Sequence, residues 1–97
     1  MSHFYVVIAG YDYEGYCSPE GIFDSPEEAV KLAQTIRDRK IYDYIDVFEY
    51  ELGKHVDQPR GVYSYISAKS AGRFSDAAEG KEIFIGITTT VGGINGT

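Results

Sequence analysis

Tyrosine is the residue type in this sequence whose chemistry is best suited to binding, and several tyrosines are regularly spaced. The 97 residues include nine tyrosines and no tryptophan. Residues i and i+2 of a strand point to the same face, and tyrosine joins a large apolar ring to a polar tip, which suits a binding surface. Such pairs can equally stabilise a sheet through cross-strand contacts. The pairs with this spacing are Tyr11 with Tyr13, Tyr42 with Tyr44, and Tyr63 with Tyr65.

Two cations follow the last tyrosine pair and suggest a ligand site. From Ser67 to Arg73 the sequence is SAKSAGR, in which small residues let the backbone approach a ligand. Lys69 and Arg73 could hold a phosphate, while Tyr63 and Tyr65 could stack a nucleobase. We therefore predict a nucleotide site at these four residues, placed at a homodimer interface because a small domain rarely forms a deep pocket. The P-loop spacing is absent, and the alternative is a solvated connector.

Acidic residues are concentrated in the first half of the chain. Residues 1–53 hold eleven acids and four bases, whereas residues 54–97 hold four acids and five bases. Acids beside tyrosines can dock on a basic protein, because complementary charge speeds association and tyrosine supplies buried anchors. The alternative is a charged coat that keeps a small domain soluble. The predicted protein-interaction residues are Tyr13, Glu14, Asp43, Tyr44, Asp46, Glu49 and Glu51.

Composition argues against several functions. A net charge of −6 and a pI near 4.7 disfavour direct binding of duplex DNA. One cysteine cannot form an internal disulfide, and one cysteine with two histidines cannot build a structural zinc site. Acid pairs such as Asp43 with Asp46 could bind a hard cation, but no recognised loop supports one. Nothing brings Cys17 near His55, so we predict a non-enzymatic protein with no catalytic residue, no metal and no cofactor.

Periodicity predicts the elements that position these residues. Phe4–Tyr11 is apolar on both alternate faces, as in a central strand. Ser25, Pro26 and Glu28 predict a helix start with a capping box, and basic residues follow at its end. An apolar stripe at helical spacing predicts one face packed on a sheet. The stripe comprises Ala29, Leu32, Ala33 and Ile36.

The remaining segments predict further strands. Gly21–Phe23 is a short strand or the helix entry, and residues 12–20 form a loop. Tyr44–Leu52 is a strand of imperfect alternation, explained by a bulge or by partial cover of both faces. Val62–Ala68 and Glu82–Val91 complete the sheet.

We predict an α+β fold, a mostly antiparallel sheet of four to five strands with one helix packed on one face. The first strand, the helix and the next strand could form a right-handed crossover. The single domain spans residues 1–91, and a flexible Gly-rich tail spans residues 92–97.

Two consecutive segments carry a resemblance to known proteins. FDSPEEAVKLA, followed by YDYIDVFEYELG, resembles a widespread group of small, mostly uncharacterised phage and bacterial domains. A strand, a capped D-S-x-E-E-A helix and a second strand ending near an E-x-E-L run are typical of that group. The resemblance covers residues 4–52 and implies a small accessory protein of phage type without a catalytic motif. The second half, with VYSYISAKSAGRF and EIFIGITTT, resembles no family that we can name.

Three functions follow from these observations. The first is a small interaction protein, a phage-type inhibitor that binds a basic host nucleic-acid or defence protein. The alternatives are a module that sequesters a nucleotide signal and a structural or virion-associated subunit that assembles through the edge of its last strand. We expect a homo-oligomer in the cytoplasm, with no membrane partner, because the apolar run Phe4–Ala9 is too short for a span or a signal peptide.

Overall fold

The computed structural model describes residues 3–67 and 80–85, which form one helix and six strands. Every strand pair is antiparallel, in the order β2-β1-β4-β5-β6, with β3 also paired to β1. The predicted α+β fold is confirmed. The sheet has six strands in place of the predicted four to five, because β2 and β3 pair one after the other with the same edge of β1. The elements are β1 His3–Tyr11, β2 Gly15–Tyr16, β3 Gly21–Phe23, α1 Pro26–Arg39, β4 Tyr44–Glu51, β5 Arg60–Ile66 and β6 Lys81–Phe84.

The crossover that carries the helix joins β3 to β4. β1 and β4 are antiparallel neighbours, with Val7 opposite Val47. Since β3 is also antiparallel to β1, β3 and β4 run parallel to each other on either side of it. A crossover between β1 and β4 is therefore wrong, because the chain reverses direction through β3 before it enters the helix.

The helix begins as its capping residues predict. The Oγ of Ser25 accepts a hydrogen bond from the N–H of Glu28 at 3.3 Å, and Pro26 is the first helical residue. The Ser25 hydroxyl donates to Glu27 at 3.0 Å. The helix ends at Lys40, which adopts a left-handed conformation and donates its N–H to the carbonyl of Arg37. These contacts satisfy backbone groups that a helix end otherwise leaves unpaired.

The core lies between α1 and one side of the sheet, here called the covered face. The helix lies mainly over β1, β3 and β4, and its buried side chains include Val30 and Gln34 besides three residues of the predicted stripe. Leu32 is half-buried. The buried hydrophobic core comprises Val7, Ala9, Ala29, Val30, Ala33, Ile36, Ile45, Val47, Val62 and Tyr63.

An extra residue in β5 brings two consecutive side chains into the core. Val47 is opposite Tyr63 and Phe48 is opposite Gly61, so Val62 is the additional residue of a β-bulge. The alternation in the sequence predicted a bulge in β4 as one explanation. β4 instead pairs with β1 without interruption, and the extra residue lies in β5, the strand on the other side of β4.

The opposite side of the sheet, here called the open face, has no helix over it in the described part of the chain. Strand alternation places Val6, Ile8 and Phe48 on it, and these are half-buried. Large exposed side chains on it are Tyr16, Ile22, Ile66, Ile83 and Ile85. Among the described residues, no helix is both long enough and apolar enough to cross a membrane.

Several predicted boundaries differ from the structure or lie outside it. The predicted loop 12–20 contains the short strand β2, and the last strand is described as Lys81–Phe84. Residues 86–91 of the predicted strand, most of the connector after Ser67 and the tail 92–97 lie outside the described residues. The domain limits at residues 91 and 92 stay predictions.

Candidate interaction surface

Tyrosines and acids meet at one corner of the sheet. β1 ends at Tyr11, a tight turn leads into β2, and β4 begins beside it with Tyr44 opposite Gly10. The polar turn after β1 and the start of β4 are distant in the sequence, and the antiparallel register of β1 and β4 brings them together. The set is here called the tyrosine–acid corner and comprises Asp12, Tyr13, Glu14, Tyr16, Asp43, Tyr44 and Asp46.

Asp43 holds the corner together. Its Oδ2 accepts a hydrogen bond from the backbone N–H of Asp12 at 2.8 Å. Its own N–H donates to the carbonyl of Gly10 at 2.9 Å, and its carbonyl accepts from the N–H of Ser67 at 2.8 Å. One residue therefore fixes the turn after β1 and the end of β5 against the start of β4.

Tyr44 covers a glycine at this corner. A Cβ on Gly10 would lie only 2.7 Å from the Tyr44 ring and 2.5 Å from the Gly15 carbonyl, so only glycine fits beneath the ring. The Tyr44 hydroxyl donates to the carbonyl of Tyr11 at 3.1 Å. Tyr44 is thus a structural part of the corner.

Tyr16 bridges the corner and the open face. Its ring packs edge-on against Tyr44 at 5.1 Å and against Phe48 at 6.1 Å between centroids. Its hydroxyl donates to Asp46 at 2.7 Å. Burial, together with the bond to Asp46, raises the pKa of Tyr16 well above its ordinary value. The phenol therefore remains a neutral donor at physiological pH.

The outermost residues of the corner are exposed to solvent. Tyr13 is 90% exposed, and Glu14 beside it is exposed. Within the described residues, no base lies at ion-pair distance from Glu14, Asp43 or Asp46. The corner therefore presents negative charge next to an exposed aromatic ring.

Two of the predicted interaction residues lie elsewhere. Glu49 and Glu51 are at the far end of β4 and on the side of the covered face. Glu49 accepts hydrogen bonds from Arg60 and from the Tyr5 hydroxyl, both at 2.9 Å. The bond from Arg60 lowers the pKa of Glu49, and Lys54 lies 3.4 Å from Glu51. The predicted surface is therefore divided, and these two charges are balanced by neighbouring bases.

The predicted nucleotide site is not assembled within the described residues. Tyr63 is 0% exposed, so its ring has no free face for a base. Its hydroxyl donates to Glu82 at 2.6 Å. Tyr65 is half-buried, and its ring lies over Gly80, where a Cβ would be 2.6 Å away. Lys69 and Arg73 lie outside the described residues.

The thiol and the imidazole lie at opposite ends of the sheet. Cys17 is exposed, and its N–H donates to the carbonyl of Ala9 near the end of β1. His55 follows β4, whose last residue is opposite the first residue of β1, and pairs with Asp57 at 2.5 Å. Within residues 3–67 and 80–85, no three His, Cys, Asp or Glu side chains are grouped to hold a metal ion.

A family model matches residues 3–58, more than half of the chain, and describes a domain of unknown function, DUF7336. The chain belongs to this family. The DUF7336 segment contains β1 to β4, α1 and the whole tyrosine–acid corner, whereas β5 and β6 follow it. No curated protein and no solved structure matches the chain.

Two clusters that the sequence analysis missed link the DUF7336 segment to the strands beyond it. In one, Glu49 binds Tyr5 and Arg60. In the other, Glu82 accepts from Tyr63 and forms an ion pair with Arg37. Each carboxylate thus binds one tyrosine and one arginine that are distant in sequence. Only the register, which sets Glu49 opposite both Tyr5 and Arg60, reveals such a cluster.

Proposed function

We propose that this DUF7336 protein is a non-enzymatic interaction module that binds a basic protein surface through its tyrosine–acid corner. The observation that carries the proposal is the exposed pair Tyr13 and Glu14 on a turn that Asp43 anchors to two strands. A fixed turn loses little conformational freedom on binding, which favours affinity. An exposed tyrosine on such a turn can become the buried anchor of an interface.

The negative charge of the tyrosine–acid corner favours a positively charged partner. Asp43 accepts a hydrogen bond from an amide and Asp46 accepts one from a phenol, and no described base lies at ion-pair distance from either. Complementary charge would speed association with a cationic partner and make it sensitive to salt. We extend the proposal to a phage-type inhibitor of a host nucleic-acid or defence protein in the cytoplasm, supported by the resemblance of residues 4–52 to phage and bacterial domains.

The test compares two variants of equal net charge. Glu14→Gln with Asp43→Asn removes two charges at the corner and keeps an oxygen acceptor at both positions. Asp24→Asn with Asp57→Asn removes two exposed acids at the other end of the sheet. Proteins from a bacterial lysate that the corner variant loses and the control retains are the expected partners.

The strongest captured protein is then purified for direct titration. Tyr13→Ala should weaken its binding roughly 30-fold, since a central tyrosine anchor contributes about 2 kcal/mol. The affinity of the corner variant should depend less on salt than that of the control. Identical capture and identical affinity for both charge variants would contradict the proposal.

The two alternatives remain predictions. A nucleotide-sequestering role would need Lys69 and Arg73 without the Tyr63 ring, and Arg73→Ala should then abolish any thermal stabilisation by a nucleotide. Assembly through the last strand would use β6, the outer strand of the described sheet. Neither has an observation of its own that favours it over the corner.

A further inference from the structure

The open face is a second, chemically different surface, which shares Tyr16, Tyr44 and Asp46 with the tyrosine–acid corner. Ile22, Ile66, Ile83 and Ile85 are between 40% and 63% exposed on it. Between them the half-buried Val6 and Phe48 make the surface continuous across the sheet. Soluble monomers rarely leave a large apolar patch exposed, and such patches usually mark an interaction site.

We propose that the open face is the interface of a homodimer, in which a second copy of this chain packs sheet against sheet. The dimer would have two central sheets and two outer helices, an arrangement in which each sheet is covered on both sides. A twofold axis would place the same patch of both copies in contact.

The size of the face agrees with a dimer interface. The sheet is five strands wide, since β2 and β3 share one edge, and at about 4.8 Å per strand and an average length of about 20 Å it covers roughly 500 Å² in projection. A specific interface buries at least about 1,000 Å² in total, or roughly 500 Å² from each partner. The open face therefore reaches the lower limit of area for a specific dimer.

Charge on the face favours a second copy over a basic protein. Asp46 lies on β4, and Lys81 lies on β6, two strands away and two residue pairs further along. On the described strands of the open face they are one acid and one base, so this face has no net charge, unlike the acidic corner.

The dimer would add to the proposed function without depending on it. The dimer would cover Tyr16, Tyr44 and Asp46, but Tyr13 and Glu14 lie on a turn beyond the strand ends, so each copy would still present these two residues. Two corners on one particle can bind a partner with repeated basic sites more tightly than one. Because dimerisation is measured on the purified chain alone, its failure is distinguishable from failure of partner binding.

The test is the mass of the protein in solution, measured by sedimentation velocity. Interfaces near this lower limit are among the weaker ones, so the measurement uses about 100 µM chain, which should sediment at twice 10.8 kDa. Ile83→Lys should yield a folded monomer of 10.8 kDa. Ile41→Lys is the matched control, because Ile41 is equally exposed at 53% but lies in the loop after α1. It should remain a dimer.

A wild-type monomer at about 100 µM would overturn the proposal, as would a dimer that Ile83→Lys leaves intact. Protection of the open face by the chain's own residues in a monomer, seen by hydrogen exchange, would also overturn it.

Discussion

The two faces of the same sheet are built from the same strands but have opposite roles. On the covered face, Val7, Ile45 and Val47 are fully buried beneath the helix, whereas Ile22 and Ile83 on the open face remain more than half exposed. Burial of apolar surface is the main favourable term in folding. Stability therefore comes mainly from the covered face, whereas the open face leaves apolar side chains exposed.

The carboxylates of the two faces also differ in their hydrogen-bond partners. Carboxylates on the covered side, Glu49 and Glu82, are each bonded to an arginine and a tyrosine. Asp43 and Asp46 at the corner and the open face bind an amide and a phenol instead. The covered side neutralises its acids, and the other side retains their charge. A molecule of this size can thus separate the surface that stabilises its fold from the surfaces that we propose for binding.

The largest effect should come from shortening one isoleucine on each face. Ile45→Ala should lower the free energy of unfolding by about 3 kcal/mol, because it leaves a cavity in a packed core. Ile22→Ala should cost less than about 1 kcal/mol, since 63% of that side chain is already exposed. Urea unfolding at low micromolar protein measures both. Equal losses would show that the open face is also part of the folding core.

Removal of one tyrosine hydroxyl on each face should give a smaller difference in stability than the isoleucine variants. Tyr63→Phe should cost about 2 kcal/mol, because a buried donor to the charged Glu82 is lost. Tyr16→Phe should cost about 0.5 kcal/mol, since its bond to Asp46 is exposed to water. Thermal unfolding of both variants gives the comparison. If Tyr16→Phe were less stable than Tyr63→Phe, the hydrogen bond to Asp46 would contribute more than the bond to Glu82, and the expected order would be wrong.

The smallest effect should depend on pH. Arg60 lowers the pKa of Glu49 in the folded chain, so the pair stabilises the fold above the ordinary pKa of glutamate. That contribution is lost as the pH falls through the folded pKa. Glu49→Gln should therefore cost under about 1 kcal/mol at neutral pH, and the gap from wild type should close in acid.

The control for this pH dependence is Glu14→Gln. No base lies at ion-pair distance from Glu14 in the described chain, so its substitution should change stability little at either pH. A gap for Glu49→Gln that persists down to about pH 3 would show that charge pairing with Arg60 contributes nothing.

Local signals in the sequence predicted the elements well. The capping residues Ser25 and Pro26 fixed the helix start, and the doubly apolar run after Phe4 predicted the central strand β1. These features depend on residues that are near one another in the chain. The corner was predicted in part for the same reason, since Tyr13 and Glu14 lie on one turn.

Features that depend on pairing could not be predicted in this way. Burial of Tyr63 follows from its position opposite Val47 on the covered face and from its hydrogen bond to the carboxylate of Glu82, and the extra residue Val62 adds a second buried side chain beside it. A bulge shifts every later side chain to the other face, and the sequence shows only that alternation fails. The pairing of Glu49 with Arg60 likewise requires the register of β4 and β5, which no local pattern specifies.

The position of β4 has a consequence for fragments of the protein. β4 is bonded to β1 on one side and to β5 on the other, and the family match ends at residue 58, between β4 and β5. A polypeptide cut there would lose Val62 and Tyr63 from its interior and leave unpaired the main-chain groups of β4 that face β5. Unpaired strand edges recruit other chains, so we expect such a fragment to aggregate, and recombinant production should extend through β6.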